Sequence, residues 1–162
     1  MRTTIPALLM VGTAIYSGLV LADIEEPKAN THNVVVTGEQ FAWTFAYEGE
    51  GIRAGELHLV KDTPYYFKIR AKDVLHSFWV PEFRMKKDAV PGMTTNVRVT
   101  PTRKGTYSVV CVELCGLGHS TMRATVKVED QAAFDRWAKL QKSGKGPQPG
   151  GLAREQGEAT AR

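Results

Sequence analysis

From Thr3 to Ala22 the chain runs for twenty residues without a charged side chain, TTIPALLMVGTAIYSGLVLA. At about 1.5 Å per residue this is roughly 30 Å of helix, one bilayer core. Two readings compete for it. A secretory signal would have a shorter apolar core, and Val20-Leu21-Ala22 is a passable cleavage site. Against a signal stand the length of the run and a positive end made only of Arg2 and the amino terminus. We read residues 1–22 as a transmembrane anchor helix. Arg2 precedes it, while Asp23, Glu25 and Glu26 follow, so the positive-inside rule puts the N-terminus in the cytoplasm and the remainder on the outer face. Either reading exports residues 23 onward.

The exported part reads as β structure. Residues 23–33 (DIEEPKANTHN) are polar and hold a proline, a short linker. From Val34 to Tyr47 the strand signal is strong, with Phe41, Trp43, Phe45 and Tyr47 recurring at period two. Residues 48–55 read as a turn. Strands are expected at 56–60 and 65–70, in the apolar run 74–80, and where Met93, Thr95, Val97 and Val99 alternate. Tyr107, Val109 and Cys111 share one strand face, and Ala124, Val126 and Val128 another. Short strands at this spacing indicate a β-sandwich or barrel. Asp130 is placed to cap a helix over 131–142 that carries Phe134, Trp137 and Ala138 on one face. Residues 142–162 hold five glycines and two prolines and read as a disordered tail. The expected organisation is therefore an anchor at 1–22, a linker at 23–33, a β domain at 34–141 and the tail.

Composition excludes several classes. With 43% hydrophobic and 23% charged residues the chain is neither wholly disordered nor polytopic. Its net charge is +4, but the basic residues form no run of five or six, which gives nucleic-acid binding little support. Two cysteines are too few for a disulfide-rich scaffold.

Between two expected strands lies Cys111-Val112-Glu113-Leu114-Cys115-Gly116-Leu117-Gly118-His119-Ser120-Thr121-Met122. In an exported protein two cysteines usually pair, so cysteine count and compartment alone favour a disulfide. The neighbours change that reading. A thiolate, an imidazole and a weak axial thioether in one loop form the ligand set of a copper electron-transfer site. Thioethers are poor zinc ligands, and a haem attachment would need Cys-x-x-Cys-His. A second imidazole has to come from elsewhere, and His76, in Leu75-His76-Ser77, is the best candidate. His58 and His32 are weaker and read as solvated. One thiolate suffices for a single copper, so Cys111 is surplus unless two sulfurs bridge two metals. Each metal would then take one histidine and one weak axial ligand, Met122 for one and the Glu113 carbonyl for the other.

Cys111-x-Glu113-x-Cys115-x3-His119-x2-Met122 with upstream Leu75-His76-Ser77 resembles the dinuclear copper (CuA) centre of cytochrome c oxidase subunit II. The resemblance extends over about residues 3–141 and includes Gly38-Glu39-Gln40-Phe41-Ala42-Trp43, His76-Ser77-Phe78-Trp79-Val80-Pro81 and Lys87-Asp88-Ala89-Val90-Pro91-Gly92. It implies a mainly β fold, a cupredoxin-like Greek-key β-barrel or sandwich, with one N-terminal transmembrane helix and a short C-terminal helix. It implies two copper ions, and a magnesium ion held by the Glu113 carboxylate at the interface with subunit I. It implies a single-pass protein of a bacterial cell membrane, with the copper domain on the periplasmic or extracytoplasmic face. Its partners would be subunit I, other oxidase subunits and the lipid bilayer, with cytochrome c as electron donor. Electrons would pass through the copper centre to haem in subunit I, where oxygen is reduced to water with proton translocation. The family's electron-entry tryptophan aligns with Phe41, and Trp43 matches the next aromatic. An acidic docking face for the donor would draw on Glu39, Glu48, Glu50 and Glu56. The alternatives are a CuA domain of a nitrous oxide or nitric oxide reductase and a metal-free, disulfide-stapled β-sandwich.

Overall fold

The computed structural model describes residues 3–26 and 29–146. Helix α1 spans Thr4–Glu25, three residues beyond the expected end at 22. Its stretch Thr4–Ile24 has a mean hydropathy of 1.9 and is nowhere buried within the chain. Ile5, Leu8, Leu9, Ile15 and Leu19 all stay exposed. An apolar helix with no protein face to cover it is suited to lipid.

Among the described residues ten strands follow: β1 His32–Glu39, β2 Ala42–Tyr47, β3 Ile52–Ala54, β4 Leu57–Val60, β5 Tyr65–Ala71, β6 His76–Val80, β7 Met85–Ala89, β8 Thr95–Val99, β9 Gly105–Cys111 and β10 Arg123–Glu129. They form two five-stranded sheets, β3-β2-β1-β5-β8 and β4-β10-β9-β6-β7. The β1–β5 and β4–β10 pairs are parallel and the other strand pairs antiparallel. Parallel neighbours in each sheet require crossovers between sheets, so the chain makes the Greek-key sandwich expected of it.

The alternating side chains build the core. Val34, Val36, Trp43, Phe45, Phe67 and Ile69 face inward from the first sheet, and Phe78, Val109, Val126 and Val128 from the second. Phe78 sits at the centre, with its ring edge-on to Trp43, Phe45 and Phe67 at 5.3, 6.2 and 6.2 Å. Such aromatic contacts add about 0.5–1.5 kcal/mol each beyond burial.

The structure corrects several expectations. The run 34–47 is two strands, because the chain reverses at Gln40–Phe41 across a cis peptide bond. Period two carries through that reversal, so the pattern hid the turn. The turn read at 48–55 contains β3, which pairs with β2. Strand β7 had no alternating signal, since Lys86 and Lys87 point outward on a sheet edge. The stretch read as linker ends early, since His32 already opens β1. Helix α2 spans Gln131–Lys142, but the Asp130 side chain does not cap it. That carboxylate binds Lys104 at 2.6 Å instead, and the Asp130 carbonyl accepts the amides of Ala133 and Phe134. Most of the stretch read as a disordered tail, from 147 on, lies outside the described residues.

Strand β1 starts next to α1 and runs eight residues away from it, about 25 Å at the usual strand rise. The antiparallel β6–β9 pairing sets the start of β6 beside the end of β9. His76 and Cys111 therefore meet at the end of the sandwich far from the anchor.

Candidate metal centre

The loop 112–122 closes on itself before β10 begins. The Cys111 amide donates to the Met122 carbonyl at 3.1 Å, and the Val112 amide to Ser77 at 3.2 Å. A short 3-10 turn, His119–Thr121, folds the second half back. Cys111, Cys115, Met122 and His76 are buried, and His119 is half-buried.

Each of the other four expected donors lies beside one of the two cysteine sulfurs. The Cys111 and Cys115 sulfurs lie 3.9 Å apart and are not bonded. His76 Nδ1 is 3.9 Å from Cys111 Sγ, and His119 Nδ1 is 3.6 Å from Cys115 Sγ. Met122 Sδ lies 3.7 Å from Cys115 Sγ. The Glu113 carbonyl lies 3.3 Å from Cys111 Sγ. Donors that share an ion at about 2.0–2.3 Å stand roughly 3.5–4 Å from one another. The donor set suits a soft metal: His76 Nδ1 and the Glu113 carbonyl stand beside the Cys111 sulfur, and His119 Nδ1 and the Met122 thioether beside the Cys115 sulfur.

Burial, and after it the neighbouring Cys111, push the Cys115 thiol up to about 11. Two buried thiols side by side repel a second negative charge, and a cation between them removes that penalty.

Sequence reasoning missed the groups that hold these donors in place. Asp73 Oδ1 binds His76 Nε2 at 2.8 Å. With a hydrogen on Nε2, the Nδ1 lone pair is left facing Cys111. The same carboxylate accepts the Gln40 and Val74 amides, each at 2.7 Å. Burial alone would raise this carboxyl, but the hydrogen bonds from His76, Gln40 and Val74 hold it below the usual carboxylate range. The Gln40 side-chain amide donates to the Cys115 carbonyl, so the β1–β2 turn clamps both halves of the centre. An acidic residue three positions before a candidate ligand was the only sequence signal for Asp73.

The two aromatic entry candidates part company. Phe41 is half-buried and lies over the loop, so close that a Cβ built on Gly118 would come within 2.5 Å of its ring. Trp43 is 1% exposed and offers no surface; it packs edge-on against His76 at 6.0 Å. The four carboxylates expected to form an acidic face are each paired with a lysine. Glu48 meets Lys68 at 2.7 Å, Glu50 meets Lys142 at 3.8 Å and Glu56 meets Lys127 at 2.7 Å, while Glu39 pairs with Lys72. Glu48 and Glu50 also sit past the end of β2 beside the start of β1, the end remote from the loop. Around the loop three leucines are exposed, Leu75, Leu114 and Leu117, the last fully.

His32 is exposed, but His58 is not solvated. It is 4% exposed, stacks on Trp137 at 4.0 Å, and binds Glu129 at 2.7 Å. Helix α2 covers it, which no local pattern in β4 reveals.

Comparison with known proteins places these features in a group. The model of the cytochrome c oxidase subunit II periplasmic domain matches residues 54–129. Cytochrome c oxidase subunit 2 of Thermostichus vulcanus is 48% identical over 104 residues, 64% of this chain and 32% of that protein. Heme-copper oxidase subunit 2 of Aeropyrum pernix is 37% identical over 140 residues, 78% of this chain and 60% of that protein. The crystal structure of the periplasmic domain of subunit II of cytochrome oxidase from Bradyrhizobium japonicum superposes with a TM-score of 0.67 at 25% identity, covering 72% of this chain and 96% of that one. The chain spans about a third of the length of the first curated relatives it matches, 32% and 35%.

Proposed function

Since the chain belongs to the cytochrome c oxidase subunit II family, we propose that its β domain is an electron-entry module holding two copper ions and serving a haem-copper oxidase. The observation that carries this reading is the arrangement of the two unbonded sulfurs 3.9 Å apart, with an imidazole Nδ1 beside each, at 3.9 and 3.6 Å. Copper held by these residues would supply a centre that takes and gives one electron.

The chain's own residues prepare that centre. Cys111 and Cys115 would hold the metal as thiolates, each giving up its proton on binding. His76 is aimed by Asp73, and His119 is brought up by the 3-10 turn. Met122, fully buried, would offer a weak thioether ligand from within the core. Trp43, Phe78 and Val109 keep water from the inner side. This rigid frame limits rearrangement when the charge changes. The Glu113 carboxylate, free of its carbonyl's role, is a hard ligand suited to magnesium at a contact with subunit I.

The donor is a reduced cytochrome c that docks on the apolar surface of Leu75, Leu114 and Leu117, with Phe41 packed against the loop, and subunit I receives the electron. The anchor α1 holds the domain at the outer face of the membrane. With the expected acidic face neutralised by lysines, the reduction rate should change little with salt, far short of the roughly tenfold or greater fall seen when charge steers association. Leu117→Asp should slow it.

The deciding experiment is an electron paramagnetic resonance spectrum of the copper-loaded full chain in detergent, with a copper count and a free-thiol count. Hyperfine structure from two equivalent copper nuclei is expected. A spectrum of a single copper nucleus, or thiols lost to a disulfide, overturns the reading.

A further inference from the structure

At the end of the sandwich next to α1, far from the metal loop, the two sheets part. Strand β7 is the edge of one sheet and β8 the edge of the other. Between them lies a cleft of about 740 Å³, lined by residues 82–86, 97–103 and 107. Its wall is aromatic, with Phe83 and Tyr107 edge to face at 5.5 Å. Four of its lining residues are cationic, Arg84, Lys86, Arg98 and Arg103, and one is acidic, Glu82. Lys86 shares its charge with Asp88 at 3.5 Å. Among the described residues, neither the Arg84 nor the Arg103 side chain has a carboxylate within ion-pair distance. Arg84 is held at φ 52° and ψ 34°, a region that non-glycine residues seldom occupy.

The cleft adjoins the anchor. Asp23 and Ile24, at the end of α1, line a smaller depression together with Arg98, Val99 and Thr100. Those last three also line the cleft. Where α1 leaves the hydrocarbon, the cleft therefore stands at the level of the lipid headgroups. Guanidinium groups match phosphate oxygens in a two-pronged fork, and tyrosine rings settle at this depth. Anionic lipids attract basic residues placed within a Debye length of the surface.

We propose that this cleft holds the phosphate of an anionic phospholipid headgroup from the leaflet in which α1 ends. The lipid seats the β domain against the bilayer at a fixed tilt. The fit rests on Arg84 and Arg103 as unpaired phosphate donors, with Lys86 and Arg98 supporting them and the aromatic pair lying along the glycerol. It does not depend on the metal content of the opposite end.

The test is amide hydrogen exchange of the full chain in lipid nanodiscs. One set contains phosphatidylcholine alone, and the other adds phosphatidylglycerol. Exchange at Met85–Ala89 and Thr95–Val99 should be about tenfold slower in the anionic discs. The double variant Arg84→Gln, Arg103→Gln should lose that protection, and Arg84→Lys, Arg103→Lys should retain most of it. Salt at about 1 M, where the Debye length falls to roughly 3 Å, should abolish it in the unaltered chain. Equal exchange in the two discs overturns the proposal. So does protection that survives high salt, which would point to a protein contact. Equal protection from free glycerol phosphate in phosphatidylcholine discs would assign the cleft to a soluble anion and overturn the lipid.

Discussion

His76 and His58 are both buried, at 0% and 4% exposure, and each binds a carboxylate, Asp73 at 2.8 Å and Glu129 at 2.7 Å. They differ in what the other nitrogen meets. In His76 it faces the Cys111 sulfur at 3.9 Å. In His58 it faces a second carboxylate, Glu56, at 3.4 Å, while the ring stacks on Trp137. The carboxylate orients the imidazole in both places. The second partner decides its use. A soft donor across from a free nitrogen leaves that nitrogen able to bind a metal. A carboxylate there makes a hydrogen-bonded strut between β4, β10 and α2.

The sharpest break of this contrast is removal of the sulfur. Cys111→Ser should abolish the two-copper spectrum while the domain stays folded by circular dichroism. A retained two-copper signal would show that His76 faces no bridging ligand.

Removing the two rings separately comes next. His76→Ala should cut bound copper to one per chain or none, with a small change in Tm. His58→Ala should leave copper unchanged and cost about 2–4 kcal/mol of unfolding free energy, from the cavity under Trp137 and the unpaired Glu129. Equal effects on copper from both variants would erase the distinction.

Exchanging the orienting carboxylates sharpens it further. Asp73→Asn should weaken copper binding by about 10–100-fold and shift the reduction potential, as for other groups that aim a metal-bound histidine. Glu129→Gln should move neither and lower Tm alone.

The smallest effect is expected with acid. Burial works to raise the Glu56 carboxyl, but Lys127 and then His58 hold it below the ordinary range. A depressed carboxylate contributes stability that is present above its unfolded pKa and is lost as pH falls through the folded one. Unfolding at pH about 3–5 should therefore be less pH-dependent in Glu56→Gln than in the unaltered chain, as read from denaturation curves.

Much of this was legible along the chain because its causes are local. The uncharged run made α1 a single apolar helix. Period-two aromatics marked the inner face of β2, and the spacing Cys111 to Met122 put four candidate metal donors and a carbonyl in one loop. These features need only neighbours a few positions away. What the tertiary structure decided depends on distant partners. Gln40 meets Asp73 across 33 positions and Cys115 across 75. His58 meets Glu129 across 71. Gln141 reaches the Arg53 carbonyl across 88, docking α2 over β3. The reversal at Gln40–Phe41, the strand in 85–89, the burial of Trp43 and His58, and the lysine paired to each glutamate of the expected acidic face all follow from such meetings. A side chain's type and spacing state what it is able to bind. Which partner it finds is fixed only when the sheets close and bring remote segments within a few ångströms.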